Sequence, residues 1–156
     1  MITREGNHYI ADGPFTNADI AKAMETYLGT NPAITSVAEA KVLAAARLRN
    51  LEREEFHVLF LTNKHHLIEV KLMSIGTINS ASVYPREIVK CALRLNAAAV
   101  ILAHNHPSGI PEPSQTDKAL TTRITNALEL IEVRVVDHLI VGNDEVLSFA
   151  EKGLME

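Results

Sequence analysis

The chain has 156 residues, 19 acidic against 15 basic, with a formal net charge of −4; that length suits one compact domain burying roughly two-thirds of its unfolded surface. The charge excludes the pervasive basic field behind salt-sensitive nucleic-acid binding, and 47% hydrophobic beside 22% charged residues excludes disordered and fibrous classes. Cys91 is the only cysteine, so there is no disulfide framework, and no apolar leader or membrane-length stretch is read, so a cytoplasmic protein without membrane contact is expected.

Residues 1–50 read as a helical N-terminal extension ahead of a compact unit over 51–156. Thr16-Asn-Ala-Asp19 and Ser36-Val-Ala-Glu39 are capping-box-like starts. Ile20, Met24, Tyr27 and Leu28 follow the first at helical spacing; Val37, Ala40, Leu43, Ala44 and Leu48 follow the second. Gly29-Thr-Asn-Pro32 separates them. Arg49, Glu52, Arg53, Glu54 and Glu55 then have the composition of a charged helix end. Phe56–Leu61 and Leu67–Ile75 read as two strands of a hairpin, with Thr62-Asn-Lys-His65 as the turn, where His65 and His66 would be solvated. Pro85 opens a helix with Ile88, Val89, Ala92, Leu93 and Leu95 on its apolar side and Cys91 as a small buried hydrophobe. Arg86 and Glu87 sit in its first turn, where an acid is favoured by the helix dipole.

The apolar run Ala97–Ala103 suits a strand buried on both faces. His104-Asn-His106 leaves its carboxyl end, and in extended chain residues two apart share a face about 6.6 Å apart. One ion could therefore meet both imidazoles while Asn105 points away. Pro107 ends the strand, Ser108-Gly-Ile-Pro-Glu-Pro113 is loop chemistry, and Asp117 returns on a helix. Two histidines and a carboxylate with an open fourth position form the ligand set of a catalytic zinc rather than a structural one. Ser114-Gln-Thr-Asp117 reads equally as an ordinary capped helix start, so a structural role competes with a metal role for both residues. That helix runs from Asp117 to about Leu130, with Leu120, Ile124, Ala127, Leu128 and Ile131 at helical spacing. Strands at Val133–Val141 and Val146–Phe149 close the chain around Gly142-Asn-Asp144. Asp137-His138 lies beside the central strand, where His138 reads either as a partner orienting a metal ligand or as a hydrogen-bonded core residue. Interleaved strands and helices give an α/β fold with a mixed β-sheet sandwiched by helices.

His104-x-His106-Pro107, six residues, then Ser114-x-x-Asp117 resembles the JAMM signature of the JAB1/MPN metalloproteases. Tyr84-Pro-Arg-Glu87, Ala103-His-Asn-His-Pro-Ser-Gly109, Pro113-Ser114 and Asp137-His-Leu-Ile-Val141 are similar to the bacterial RadC family, in particular its short RadC-like members, over roughly Leu51 to Gly153. The resemblance implies a JAB1/MPN, cytidine deaminase-like fold. It implies Zn2+ held by His104, His106 and Asp117 with water as fourth ligand, and a glutamate just before an apolar strand that bonds this water. Glu54 best fits that spacing, with Glu55 as its rival. The implied function is a zinc-dependent peptidase or isopeptidase-like hydrolase in which Glu54 moves a proton and Ser114 donates to the oxyanion.

A second reading is a DNA-repair or mobile-element accessory protein whose metal is structural or vestigial. Longer family members carry a helix-hairpin-helix segment suited to DNA. This N-terminal third has neither that Gly-rich signature nor a basic cluster, so DNA binding is not supported. The letters His-Asn-His do not make an HNH nuclease, whose residues are scattered over a ββα finger. The expected partner is an unidentified peptide or protein substrate, and an exposed hairpin edge could pair with a second copy to give a homo-oligomer.

Overall fold

The computed structural model describes residues 2–5, 8–11, 33–76 and 82–155. The helix expected after Thr16-Asn-Ala-Asp19 and the break at Gly29–Pro32 lie outside them. Strands β1 (Ile2–Glu5) and β2 (His8–Ala11) pair antiparallel, Ile2 opposite Ala11 and Glu5 opposite His8, where only helix was expected. Helix α1 (Val37–Leu48) starts as its sequence suggests, the Ser36 hydroxyl accepting the Glu39 N–H.

The main sheet has five strands in the order β4-β3-β5-β6-β7: β3 (Glu54–Leu61), β4 (Leu67–Gly76), β5 (Ala99–Asn105), β6 (Arg134–Val141) and β7 (Val146–Ser148). All its pairings are antiparallel except β5 with β6. A parallel pair needs a crossover, and helix α3 (Gln115–Glu129) supplies it. Helix α2 (Pro85–Arg94) connects β4 to β5.

Alternation along the strands sorts the core into two halves. Leu59 and Leu61 of β3, Ile101 and Ala103 of β5, and Leu139 and Val141 of β6 pack with Leu43, Ala44 and Leu48 of α1. Their neighbours Phe56, Val58, Phe60, Val100 and Leu102 face Ile88 and Ala92 of α2 and Ile124 and Leu128 of α3. Every residue of β5 is buried, as its unbroken apolar run requires. Each large side chain buried this way contributes about 1.5–3 kcal/mol, and the histidines emerge from the most fully buried strand of the sheet. α1 precedes the boundary expected at residue 50 yet packs within the first of these cores.

Two local readings change. Glu54 and Glu55 open β3 rather than ending a helix, because Glu54 pairs with Gly76 and Glu55 with Ile75 of β4. Leu93 of α2 faces solvent at 61% exposure, and Cys91 is half-buried, its sulfur 3.8 Å from Arg94 Nη2.

Candidate metal centre

β5 delivers His104 at its carboxyl end, and His106 continues the ladder by donating its N–H to the Val141 carbonyl of β6 at 3.0 Å. The two Nε2 atoms lie 3.1 Å apart. Asp117 closes a third side from the first turn of α3, with Oδ1 3.3 Å from His104 Nε2 and Oδ2 3.1 Å from His106 Nε2. Glu54 reaches in from β3, its Oε1 3.9 Å from His104 Nε2. Glu54, His104 and His106 each offer a ligand atom within 4.8 Å of the others. Glu55 faces the other side of the sheet, where its Oε1 accepts from His57 Nε2 at 3.0 Å. Of the two rival glutamates, Glu54 is the one facing the histidines.

Two local devices build this arrangement. The Ser114 Oγ accepts the Asp117 N–H at 3.0 Å, while Asp117 Oδ2 accepts the Ser114 N–H at 2.9 Å. Asp117 thus takes part in the capping box while its carboxylate faces both histidines, so the two readings of it do not exclude each other. Asn105, turned away from the histidines, accepts the Glu55 N–H on Oδ1 at 2.8 Å and donates Nδ2–H to the Arg53 carbonyl at 3.0 Å. It clamps the backbone on either side of Glu54 and so sets where that carboxylate stands.

The loop after His106 is braced against the β6–β7 turn. The Ile110 carbonyl accepts from His106 Nδ1 at 2.8 Å, and Gly109 accepts the Asn143 N–H at 3.0 Å. Gly109 has φ +85°, and a Cβ there would stand 2.2 Å from Asn143 Nδ2; one on Gly142 would stand 2.6 Å from the Gly109 carbonyl oxygen. Only glycine permits that approach.

Behind His104 the site is closed by buried rings. Phe56 stacks on it with centroids 5.8 Å apart, and His138, with no exposed surface, brings Nε2 to 2.7 Å of His104 Nδ1. His138 in turn lies against Phe149, centroids 4.6 Å apart, and its Nδ1 is 2.6 Å from Thr121 Oγ1. Of the two roles read for His138, the structure gives it contact with a site histidine. Thr121 and Asn105 were not singled out as site residues, although Thr121 follows Asp117 by one helical turn and therefore shares its face.

Electrostatics follow from this packing. Burial raises the Glu54 pKa, against the opposing pull of His104 and His106. Burial would also raise Asp117, but hydrogen bonds from His104 and His106 outweigh it and hold the carboxyl far below the usual range. For His106, burial works against the proton, yet Asp117 and the Ile110 carbonyl outweigh it and raise the pKa. Burial pushes His138 well below an ordinary histidine, and repulsion from His104 adds to this.

The donor set fits a zinc ion. Zinc–nitrogen and zinc–oxygen bonds of about 2.0–2.1 Å in a tetrahedron put neighbouring donors about 3.3 Å apart. The His104, His106 and Asp117 donors already stand 3.1–3.3 Å from one another. Glu54, at 3.9 Å from His104, stands further out.

Among known proteins, the family model described as RadC-like JAB domain matches residues 34–154. The chain is 55% identical over 121 residues to the UPF0758 protein of Vibrio cholerae serotype O1 (strain ATCC 39315 / El Tor Inaba N16961), covering 78% of this chain and 54% of that protein. It is 52% identical over 126 residues to the UPF0758 protein of Vibrio atlanticus (strain LGP32), covering 81% and 56%. The chain thus spans about half the length of the curated relatives it matches. The five-stranded mixed sheet with its helices is consistent with a JAB/MPN domain. No helix among the described residues is long and apolar enough to cross a membrane.

Proposed function

Since the chain belongs to the RadC-like JAB domain family, we propose that it is a zinc-dependent hydrolase of the JAMM type, cleaving an amide or isopeptide bond in a peptide or protein. The observation carrying this reading is the spacing of the His104, His106 and Asp117 donors, 3.1–3.3 Å from one another, with Glu54 behind them. His104, His106 and Asp117 would hold the ion. When bound, zinc would supply a Lewis acid and lower the pKa of a water molecule to about 7.

The chain's own groups do the rest. Glu54 accepts the proton of the attacking water on its carboxylate and returns it to the leaving amine, the work of a general base that becomes a general acid. Standing further from the imidazoles than Asp117 does, it has room for that water. The Ser114 Oγ already accepts the Asp117 N–H, so its own hydrogen remains to be donated to an oxyanion. Phe56 and His138 keep the inner side of His104 free of solvent, which strengthens each of these interactions.

Metal analysis of the purified protein, followed by chelator-sensitive cleavage of a peptide library, tests the proposal. Stoichiometric zinc and cleavage are expected. His104→Ala should lose both, whereas Glu54→Gln should keep zinc and lose about 10²–10⁴-fold in kcat. Zinc that raises the melting temperature of a wild type without turnover would instead favour a structural metal.

A further inference from the structure

Hydrogen counting along the buried chain behind His104 fixes which ring nitrogen carries a proton. Thr121 Oγ1 lies 2.7 Å from the Asp117 carbonyl oxygen one turn earlier. A carbonyl has no hydrogen to give, so the one in that contact is the threonine's. A hydroxyl has only one. In the 2.6 Å contact between Thr121 Oγ1 and His138 Nδ1 the hydrogen therefore belongs to His138. His138 is wholly buried, flanked by Phe149 and, edge-on at 5.5 Å, by Phe56; its two nitrogens are taken by a hydroxyl and another imidazole. Such surroundings hold a neutral ring. With its single hydrogen on Nδ1, His138 has a bare Nε2, and the 2.7 Å contact to His104 takes its hydrogen from His104 Nδ1.

We infer that Thr121 and His138 are positioning residues that keep a hydrogen on His104 Nδ1, so that Nε2, whose hydrogen faces Asp117 in the metal-free protein, is the nitrogen that can give it up to a cation at the point shared with His106 and Asp117. This rests on the metal-centre reading above. An imidazole ligates through a bare nitrogen, and the hydrogen bond at the other nitrogen decides which one that is. His106 has this settled directly, since its Nδ1 donates to the Ile110 carbonyl. His104 has no carbonyl in that position and borrows one at two removes, through His138 and Thr121, from Asp117. The residue whose carboxylate closes the site thus also orders the hydrogens behind it. With the chain reversed, His104 Nδ1 would be the bare nitrogen and Nε2 would have to keep its hydrogen where a cation must sit.

Long-range ¹H–¹⁵N spectra of the full chain, with and without zinc, read the ring nitrogens directly. His138 is expected to be protonated at Nδ1 and bare at Nε2 in both states. Thr121→Val, which removes the hydroxyl at nearly constant shape, is expected to let His138 exchange between its two forms and to weaken zinc binding about 10- to 100-fold. Thr121→Ser should restore both. A wild-type His138 protonated at Nε2 would overturn the inference, as would a folded Thr121→Val protein whose zinc Kd stays within about twofold of wild type. If Thr121→Val fails to fold, the wild-type spectrum decides alone. A wild type that binds no zinc would sink the hydrolase reading instead, and the metal-free spectrum would still decide the hydrogen placement.

Discussion

Asp117 gathers several contacts of the candidate metal centre in one residue. Its Oδ2 accepts the Ser114 N–H and faces His106, its Oδ1 faces His104, and its backbone carbonyl holds Thr121. Substitutions can separate these duties. Asp117→Asn keeps an oxygen for the Ser114 N–H but loses the charge, so it should abolish zinc binding and give up the part of the zinc-free stability that the charge facing His104 and His106 supplies. Asp117→Ala should lose the cap as well, at an added cost of about 1 kcal/mol in urea denaturation of the zinc-free protein. Ser114→Ala removes the other half of the box and should cost about 0.5–2 kcal/mol. Turnover that survives Ser114→Ala unchanged would leave that serine as a helix cap alone.

At the scale of elements, the site depends on how β3 is held against the end of β5. Asn105→Ala strips partners from the Glu55 N–H and the Arg53 carbonyl, a loss of about 1–3 kcal/mol. Because Glu54 lies between those two groups, kcat should fall more steeply than zinc content, and measuring both on one preparation checks this. The same contact explains what local sequence could and could not reveal. The β3–β4 hairpin, the buried β5, the Asp117 helix and the two closing strands follow from periodicity and turn residues that act within a few positions. Glu54 and Glu55 resemble a helix end by composition and become strand only through Gly76, Ile75 and Asn105, partners distant in the chain. The role of Asn105 was hidden by its neighbours, since a polar residue between two histidines reads as spacer. β1 and β2 are four residues each, too short for alternation to register, and Gly6-Asn7 between them was the available hint. His138 was visible as a candidate only because β6 was expected beside β5.

For the whole molecule, the two faces of the sheet carry separate polar investments. Opposite the candidate metal centre, His57 is 7% exposed, bonded through Nε2 to Glu55, with Nδ1 buried and unbonded among the described residues. Burial lowers its pKa below 6.5, more than the Glu55 hydrogen bond raises it. The unfolded chain therefore binds this proton more readily than the folded one, and stability is lost as pH falls below about 6.5 toward the depressed folded value. Asp117, whose carboxyl is depressed, loses its contribution at lower pH, and His106, whose pKa is raised, acts in the opposite sense. His57→Leu isolates the first effect: its urea midpoint between pH 7 and 5 should fall less steeply than that of the wild type, both without zinc. Equal slopes would show that His57 titrates alike in the folded and unfolded chains.

Surface bends far from a ligand usually tolerate an added tag or label. The bend joining β6 to β7 is not such a place, because Val141, Gly142 and Asn143 are where the histidine-bearing loop is moored. An epitope spliced in there would be felt by His106 although no donor atom had been altered. Gly142→Ala is the smallest version of that disturbance.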